Sequence, residues 1–490
     1  LKQMDSYTII NFHIEDWADV ASRGFIEGYY GNPWSTQDRI NLMTWGGYYK
    51  LNAYFYAPKD DAKHRTNWNE LYTPEEIESL IRPLAEAGNA SKCRFVYALH
   101  PFPSASNHLR FDGNYETDLG TLKEKFKQVI DAGVRQIAIL ADDFWNPGGE
   151  NGLRLINDVT DWLETEVKAE YPDMKTVVPY VPYDYMGNGS TAELQVLKNA
   201  PENVQIVMTG GRVWGEVTDS FTSTFTSNVG RGPFMWINWP CTDNSKKHLI
   251  MGGYTTFLHP GVNPANIQGI MLNPMQQSEP SKVAIFGNAC YSWNIWESEA
   301  EADQAWNDSF KYVDHNSAIE TQASNALREL SKHMINQAMD SRVTALQESV
   351  ELAPKLTAFR EKLNNRTVTE ADVDSLIEEF KVLQNAADIY EAQAGDANIS
   401  EQIIYWLDCW DDTTDAAIAY LNGVKAVINN NTTEIIQYNT EGKTAFDNSK
   451  THAFWYVDHN EYAEVGVQHI VPFIQAVAEY VSKYAEISMN

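Results

Sequence analysis

Between residues 24 and about 275, short β-rich runs alternate with amphipathic stretches, and this rhythm constrains the fold more than any other feature of the chain. The runs are 24–30 (GFIEGYY), 51–58 (LNAYFYAP), 94–101 (RFVYALHP), 136–142 (QIAILAD), 176–183 (TVVPYVPY), 204–209 (VQIVMT), 233–240 (PFMWINWP) and 266–273 (NIQGIMLN), giving eight candidate strands. Between them, 73–88 opens with Thr73 as an N-cap, Pro74 in the first helical position, and Glu75 and Glu76 in the first turn. Ile77, Leu80, Ile81 and Leu84 then keep helical spacing, and Pro83 predicts a kink. The stretches 36–49, 119–132 and 150–171 behave similarly, while 190–200 and 218–231 are shorter and more polar. Parallel strands need crossovers, so this alternation implies a parallel sheet. Eight repeats in roughly 250 residues match a (β/α)₈ TIM barrel, an α/β fold. A doubly wound open sheet is the alternative, but no GxGxxG follows the first strand.

The character changes after about residue 300. Glycine becomes scarce, strand signals vanish, and Ala, Glu, Leu and Lys dominate 317–339, 343–364, 369–393 and 400–428, with 454–485 continuing the pattern. The expected organisation is therefore a remnant of another α/β domain over 1–23 (Tyr7–Ile10 as one strand), a barrel over 24–300 and a C-terminal helical bundle over 301–490. The chain opens at Leu1 with no signal peptide, which suggests that an upstream segment was removed or left out.

Charge and cysteine usage exclude several functions. The net charge of −30 repels nucleic acid and anionic membranes, and it disfavours polyanionic polysaccharides. No apolar run approaches the roughly 18 residues of a membrane span, so no membrane insertion is expected. Cys93, Cys241, Cys290 and Cys409 are far apart and form no CxxC, so neither a disulfide framework nor a zinc site is expected.

Barrel enzymes gather their active groups at the C-terminal ends of the strands. Here those ends offer Glu27, Gly28 and Tyr30; Lys59, Asp60 and Asp61; His100; Asp142 and Asp143; Asp184 and Tyr185; Thr209; Trp236, Asn238 and Asp243; and Asn273. This ring of carboxylates, amides and hydroxyls contains no Cys/His cluster, and no Ser/His/Asp triad is evident. It suits a polyhydroxylated ligand and acid–base chemistry. Asp142-Asp143 is the sharpest local signal. Two adjacent acids after a buried strand are costly unless paired or functional, and their proximity is expected to divide them into one anion and one proton donor. A metal-binding pair is the rival reading, Lys59 alone also fits a surface ion pair, and Trp236 alone also fits a core residue.

Taken in order, these motifs resemble glycoside hydrolase family 84, the O-GlcNAcases, especially its bacterial, often secreted members. The resemblance rests on Gly24-Phe-Ile-Glu-Gly-Tyr-Tyr-Gly-Asn-Pro-Trp34, Tyr56-Ala-Pro-Lys-Asp-Asp61 with Lys63-His64-Arg65, Asp142-Asp143, Pro182-Tyr-Asp-Tyr185, Thr209-Gly210, Trp236-Ile-Asn-Trp-Pro-Cys-Thr-Asp243 and Asn273-Pro-Met275. It covers roughly 10–300 strongly and the tail loosely. The resemblance implies a retaining exo-β-N-acetylglucosaminidase in which the sugar's 2-acetamido oxygen attacks the anomeric carbon, giving an oxazoline, with no cofactor and no metal. It implies that Asp142 orients the acetamido N–H and Asp143 is the acid, then the base. Tyr185 would bond the acetamido oxygen, Gly28 and Lys59 the 3-hydroxyl side, and Asp243 the 4- and 6-hydroxyls, with Asn238 and Asn273 completing the polar set. Trp236 and Tyr30 would wall the site, with Thr209 and Val213 near the acetamido group or aglycone. The implied partners are glycoproteins or glycans bearing N-acetylglucosamine, and the implied location is secreted or cell-surface. Action on glycan or hyaluronan-derived ends, and a catalytically dead glycan-binding protein, are the alternatives. Two features depart from the family: Gln276-Gln277 stand where relatives often carry Glu-His, and no tryptophan occurs over 335–345.

Overall fold

The structure, a computed structural model, describes residues 13–337 and 346–489. The expected strand over Tyr7–Ile10 lies outside these residues. The chain divides into two compact units. One holds the described residues of Asn11–Cys241 and Tyr254–Trp306, and the other those of Thr242–Gly253 and Asn307–Asn490.

The first unit is a closed barrel of eight parallel strands in sequence order. They are β1 (Ser22–Glu27), β2 (Ala53–Tyr56), β3 (Arg94–Leu99), β4 (Gln136–Leu140), β5 (Val178–Val181), β6 (Val204–Met208), β7 (Phe234–Ile237) and β8 (Gly269–Leu272). Each expected run overlaps one strand: β1 begins at Ser22, ahead of its run, the other strands lie within theirs, and the final residues of every run leave the ladder to form loops. The ring closes where β1 pairs with β8, Ser22 opposite Gly269. Side chains alternate across a strand. Ile26, Phe55, Val96, Leu140, Val207, Phe234, Trp236 and Met271 form one cluster that fills the barrel. Phe25 and Tyr54, in the opposite phase, stack on each other with centroids 5.2 Å apart. Burial on both faces explains why the strands read as nearly continuous apolar runs.

Glu27 belongs to this opposite phase and is not a site residue. Its carboxylate takes Arg39 Nε at 2.7 Å and the Trp34 N–H at 3.1 Å, and it also accepts from the Tyr54 hydroxyl. Arg39 lies on the helix Thr36–Tyr48, which Ser35 and Asp38 start with a reciprocal capping box. The helix expected over 73–88 forms as Pro74–Glu76, Ile77–Ile81 and Arg82–Ser91 in succession. Its middle segment is a π-helical turn, with the Arg82 N–H reaching the Ile77 carbonyl. Pro83 has no N–H and its ring crowds the carbonyl four residues back, so a widened turn beside it absorbs the expected kink.

The second unit is mainly helical. It includes Gln322–Ser331, Ala353–Asn364, Glu370–Gln393, Ala397–Ile428, Thr432–Asn448 and Ile470–Met489. Strand signals do not vanish after residue 300, however. Ala453–Tyr456 and His459–Tyr462 pair as an antiparallel hairpin within the stretch expected to be helical. Phe454, Trp455 and Tyr456 are aromatic strand formers, and Val457-Asp458 makes the two-residue turn with Val457 at φ 54°. Thr242–Gly253 is fastened within this unit: Met251 N–H donates to the Met334 carbonyl at 2.8 Å, and Trp406 Nε1 to the Lys247 carbonyl at 2.9 Å.

Candidate active site

The end of β4 carries the acid pair. The Ala141 N–H still bonds the Val181 carbonyl of β5 at 2.9 Å, and the chain then turns sharply. Phe144 N–H closes onto the Asp142 carbonyl at 2.8 Å, a three-residue turn centred on Asp143 at φ 66°. Left-handed backbone is costly for a side-chain-bearing residue, though least so for Asp and Asn. The turn sends the two carboxylates into different environments. Asp142 is 8% exposed, and its buried Oδ1 has no hydrogen-bond partner. Asp143 is exposed.

Tyr185, in the loop after β5, donates its hydroxyl to Asp143 Oδ1 at 2.7 Å and packs its ring against the barrel core. Burial, this bond and the Asp143 charge raise its phenol above the ordinary range, so it stays a donor at neutral pH. The Tyr185 carbonyl accepts the Thr209 N–H at 3.0 Å. The Thr209 hydroxyl is committed to the Arg212 carbonyl at 2.7 Å, so Thr209 secures the backbone of the loop carrying Val213.

On the opposite arc, Gly28, Asn273, Asn238, Trp236 and Val213 form one hydrogen-bonded belt. Gly28 N–H donates to Asn273 Oδ1 at 3.1 Å, and Asn273 Nδ2 to Asn238 Oδ1 at 3.0 Å. Trp236 Nε1 donates to the same oxygen at 2.9 Å, and Asn238 Nδ2 to the Val213 carbonyl at 2.8 Å. The two asparagines thus fix the Trp236 indole and the β1 terminus. A Cβ on Gly28 would lie 2.7 Å from the indole, so a larger residue there would have to displace it. Lys59 places its ammonium 4.9 Å from the Tyr30 ring centroid. Gln276, one of the departures from the family pattern, accepts the Asn32 N–H at 2.8 Å and so fastens the loop bearing Tyr30.

Other strand-end acids have structural partners. Asp61 accepts from the Tyr56 and Tyr72 hydroxyls, each at 2.7 Å, and caps the turn Ala62–His64. Asp184 accepts from Thr191 at 2.6 Å. Asp243 lies in Thr242–Gly253, a segment that belongs to the helical unit. Sequence reasoning gave no role to Gln276 or to the two buried histidines behind the acids, His64 and His100. The only sequence signal for the histidines was their position at the ends of conspicuous β-rich motifs. Among the described residues, no cluster of three or more His, Cys, Asp or Glu side chains is placed to hold a metal ion.

The family model for β-N-acetylglucosaminidase matches residues 23–332, well over half of the chain. The chain belongs to this family. It is glycoside hydrolase family 84, and the matched segment contains the barrel from Arg23 of β1 onward and every residue of the site networks described above. A solved family 84 structure, CpGH84D, is 32% identical with a TM-score of 0.87, over 96% of this chain and 76% of its own. The rat protein O-GlcNAcase is 29% identical over 54% of this chain and 29% of its own length, and the mouse protein O-GlcNAcase is 28% identical over the same shares. The chain thus matches less than a third of the length of these mammalian relatives. An O-GlcNAc hydrolase of Thermobaculum terrenum, 22% identical, shares the fold with a TM-score of 0.71 over 96% of this chain and 97% of its own.

Proposed function

We propose that the protein is a retaining exo-β-N-acetylglucosaminidase working by substrate assistance, and that it removes single β-linked N-acetylglucosamine residues from Ser and Thr of glycoproteins. The observation that carries this reading is the division of labour within the acid pair. The buried, unpartnered Asp142 oxygen suits an acceptor for the acetamido N–H. The exposed Asp143 suits a group that must reach the leaving oxygen and then a water molecule. In the first step the acetamido oxygen bonds to C1 as the glycosidic C–O bond breaks. The proton of the Asp143 carboxyl passes to the departing hydroxyl, and Asp142 stabilises the charge developing on nitrogen. In the second step the Asp143 carboxylate takes a proton from water, whose oxygen bonds to C1 and opens the oxazoline with net retention.

Tyr185 stands beside Asp143 as the donor for the acetamido oxygen. The belt around Gly28 and Trp236, together with Lys59 and Tyr30, supplies the polar and apolar faces a neutral sugar needs. The net charge of −30 favours a neutral glycoprotein-linked sugar over a polyanionic chain.

The test is hydrolysis of an aryl 2-acetamido-2-deoxy-β-glucoside, with and without EDTA, by the wild type and Asp143→Asn, followed by release of the sugar from an O-GlcNAc peptide. EDTA-insensitive turnover that weakens in the variant, and release from the peptide, are expected. A folded wild type that binds the sugar without cleaving it would mean a glycan-binding protein. Cleavage of the aryl substrate but not of the peptide would restrict the activity to glycan ends.

A further inference from the structure

The acid pair is held from behind by one imidazole. His100, at the end of β3, is 2% exposed. Its Nε2 lies 2.8 Å from the Asp142 carbonyl oxygen, which can only accept. Its Nδ1 lies 3.3 Å from the Phe102 N–H, which can only donate. The two contacts leave one ring state, the neutral Nε2–H tautomer. The ring is seated in turn: the His100 N–H bonds the His64 carbonyl at 3.0 Å, and His64 Nδ1–H donates to the Ala98 carbonyl at 2.7 Å. The carbonyl that His100 grips is the one that closes the turn around Asp143, so it takes both the Phe144 N–H and the imidazole. The same Nε2 lies 3.6 Å from the unpartnered Asp142 Oδ1, too far for a hydrogen bond but close enough to orient the carboxylate by its dipole.

We propose that His100 is a positioning residue for the reaction: as a neutral donor it clamps the Asp142 carbonyl, holding Asp143 in left-handed backbone and both carboxylates at their working separation. It touches no substrate and transfers no proton. The proposal rests on the glycosidase reading for its kinetic consequence, but the clamp itself can be measured without turnover.

The experiment compares wild type, His100→Gln and His100→Leu in three measurements: kcat and KM on the aryl glycoside, melting temperature, and amide hydrogen exchange of the peptide covering 141–145. Gln can donate through its amide nitrogen and accept through its oxygen, whereas Leu can do neither. His100→Leu is expected to lower kcat about ten- to a hundred-fold with KM nearly unchanged, and to speed exchange at the Phe144 amide. His100→Gln is expected to recover kcat to within roughly three-fold of wild type and to restore protection. Should the Leu variant fail to fold, His100→Asn, too short to span both partners, takes its place with the same expectation. Wild-type kcat and exchange in folded His100→Leu overturns the proposal. So does His100→Gln losing as much as His100→Leu. An inactive wild type would sink the glycosidase reading alone, because the exchange measurement still judges the clamp.

Discussion

The Tyr185 hydroxyl donates to Asp143 Oδ1 across 2.7 Å, joining the loop after β5 to the acid at the end of β4. The donor is fixed at both ends, because the Tyr185 carbonyl is bonded by the Thr209 N–H while its ring lies against the barrel core. Tyr185→Phe keeps the packing and removes the donor. Its kcat/KM on an aryl N-acetylglucosaminide is expected to fall about ten- to a hundred-fold, with the melting temperature little changed. Retained kcat/KM in this variant would remove Tyr185 from the site.

A leaving-group series separates the two acids. Asp142→Asn is expected to slow good and poor leaving groups alike, since it impairs oxazoline formation in both. Asp143→Asn should slow poor leaving groups by about a hundred-fold or more and activated aryl groups far less, because only the former need protonation. Parallel losses across the series in both variants would contradict the role assignments.

Gly28→Ala brings a methyl group to within 2.7 Å of the Trp236 indole, whose displacement is opposed by the bond from its Nε1 to Asn238 at 2.9 Å. Expected are a loss of about 1–3 kcal/mol in stability and a raised KM as Trp236 is displaced. Chemical denaturation and steady-state kinetics check both, and an unchanged KM would mean that the indole does not bound the sugar site.

Acid sensitivity should trace to buried imidazoles. Burial pushes His64 and His333 down to about 3, and lowers His100 in the same way. An unfolded chain protonates all three near the ordinary value of about 6.5, while the folded chain does not. For His64 and His333 the unfavourable contribution is absent above pH 6.5 or so and grows on acidification toward about pH 3, where these folded imidazoles begin to charge; His100 contributes in the same direction. His64→Gln should lessen the slope of stability against pH between about 6.5 and 4 by at most 1.4 kcal/mol per pH unit. A slope equal to that of the wild type in urea unfolding would exclude His64 as a source.

The barrel was legible because strands buried on both faces leave unbroken apolar runs, and 136–142 already pointed to the acid pair. What the runs did not carry was phase at their ends. Glu27 and Gly28 are neighbours, yet one faces Arg39 in the helix layer and the other the Trp236 indole. The hairpin over 453–462 was obscured by helical sequence on both sides, although Phe454-Trp455-Tyr456 favours a strand. The helix Thr432–Asn448 was obscured by its many Thr and Asn residues. The assignment of Thr242–Gly253 to the helical unit depends on long-range bonds such as Trp406 to Lys247, which no local pattern encodes. His100 stood in the ring of strand-end residues, but its grip on a backbone carbonyl had no sequence signature.

The left-handed geometry of Asp143 bears on how the enzyme should be dissected. Asparagine tolerates that backbone nearly as well as aspartate, whereas alanine and glutamate do not. A rate lost in Asp143→Asn therefore reports proton transfer. The same loss in Asp143→Ala would mix missing chemistry with a turn that has relaxed and carried Asp142 with it, so alanine scanning would overstate the contribution of one acid and hide that of the other.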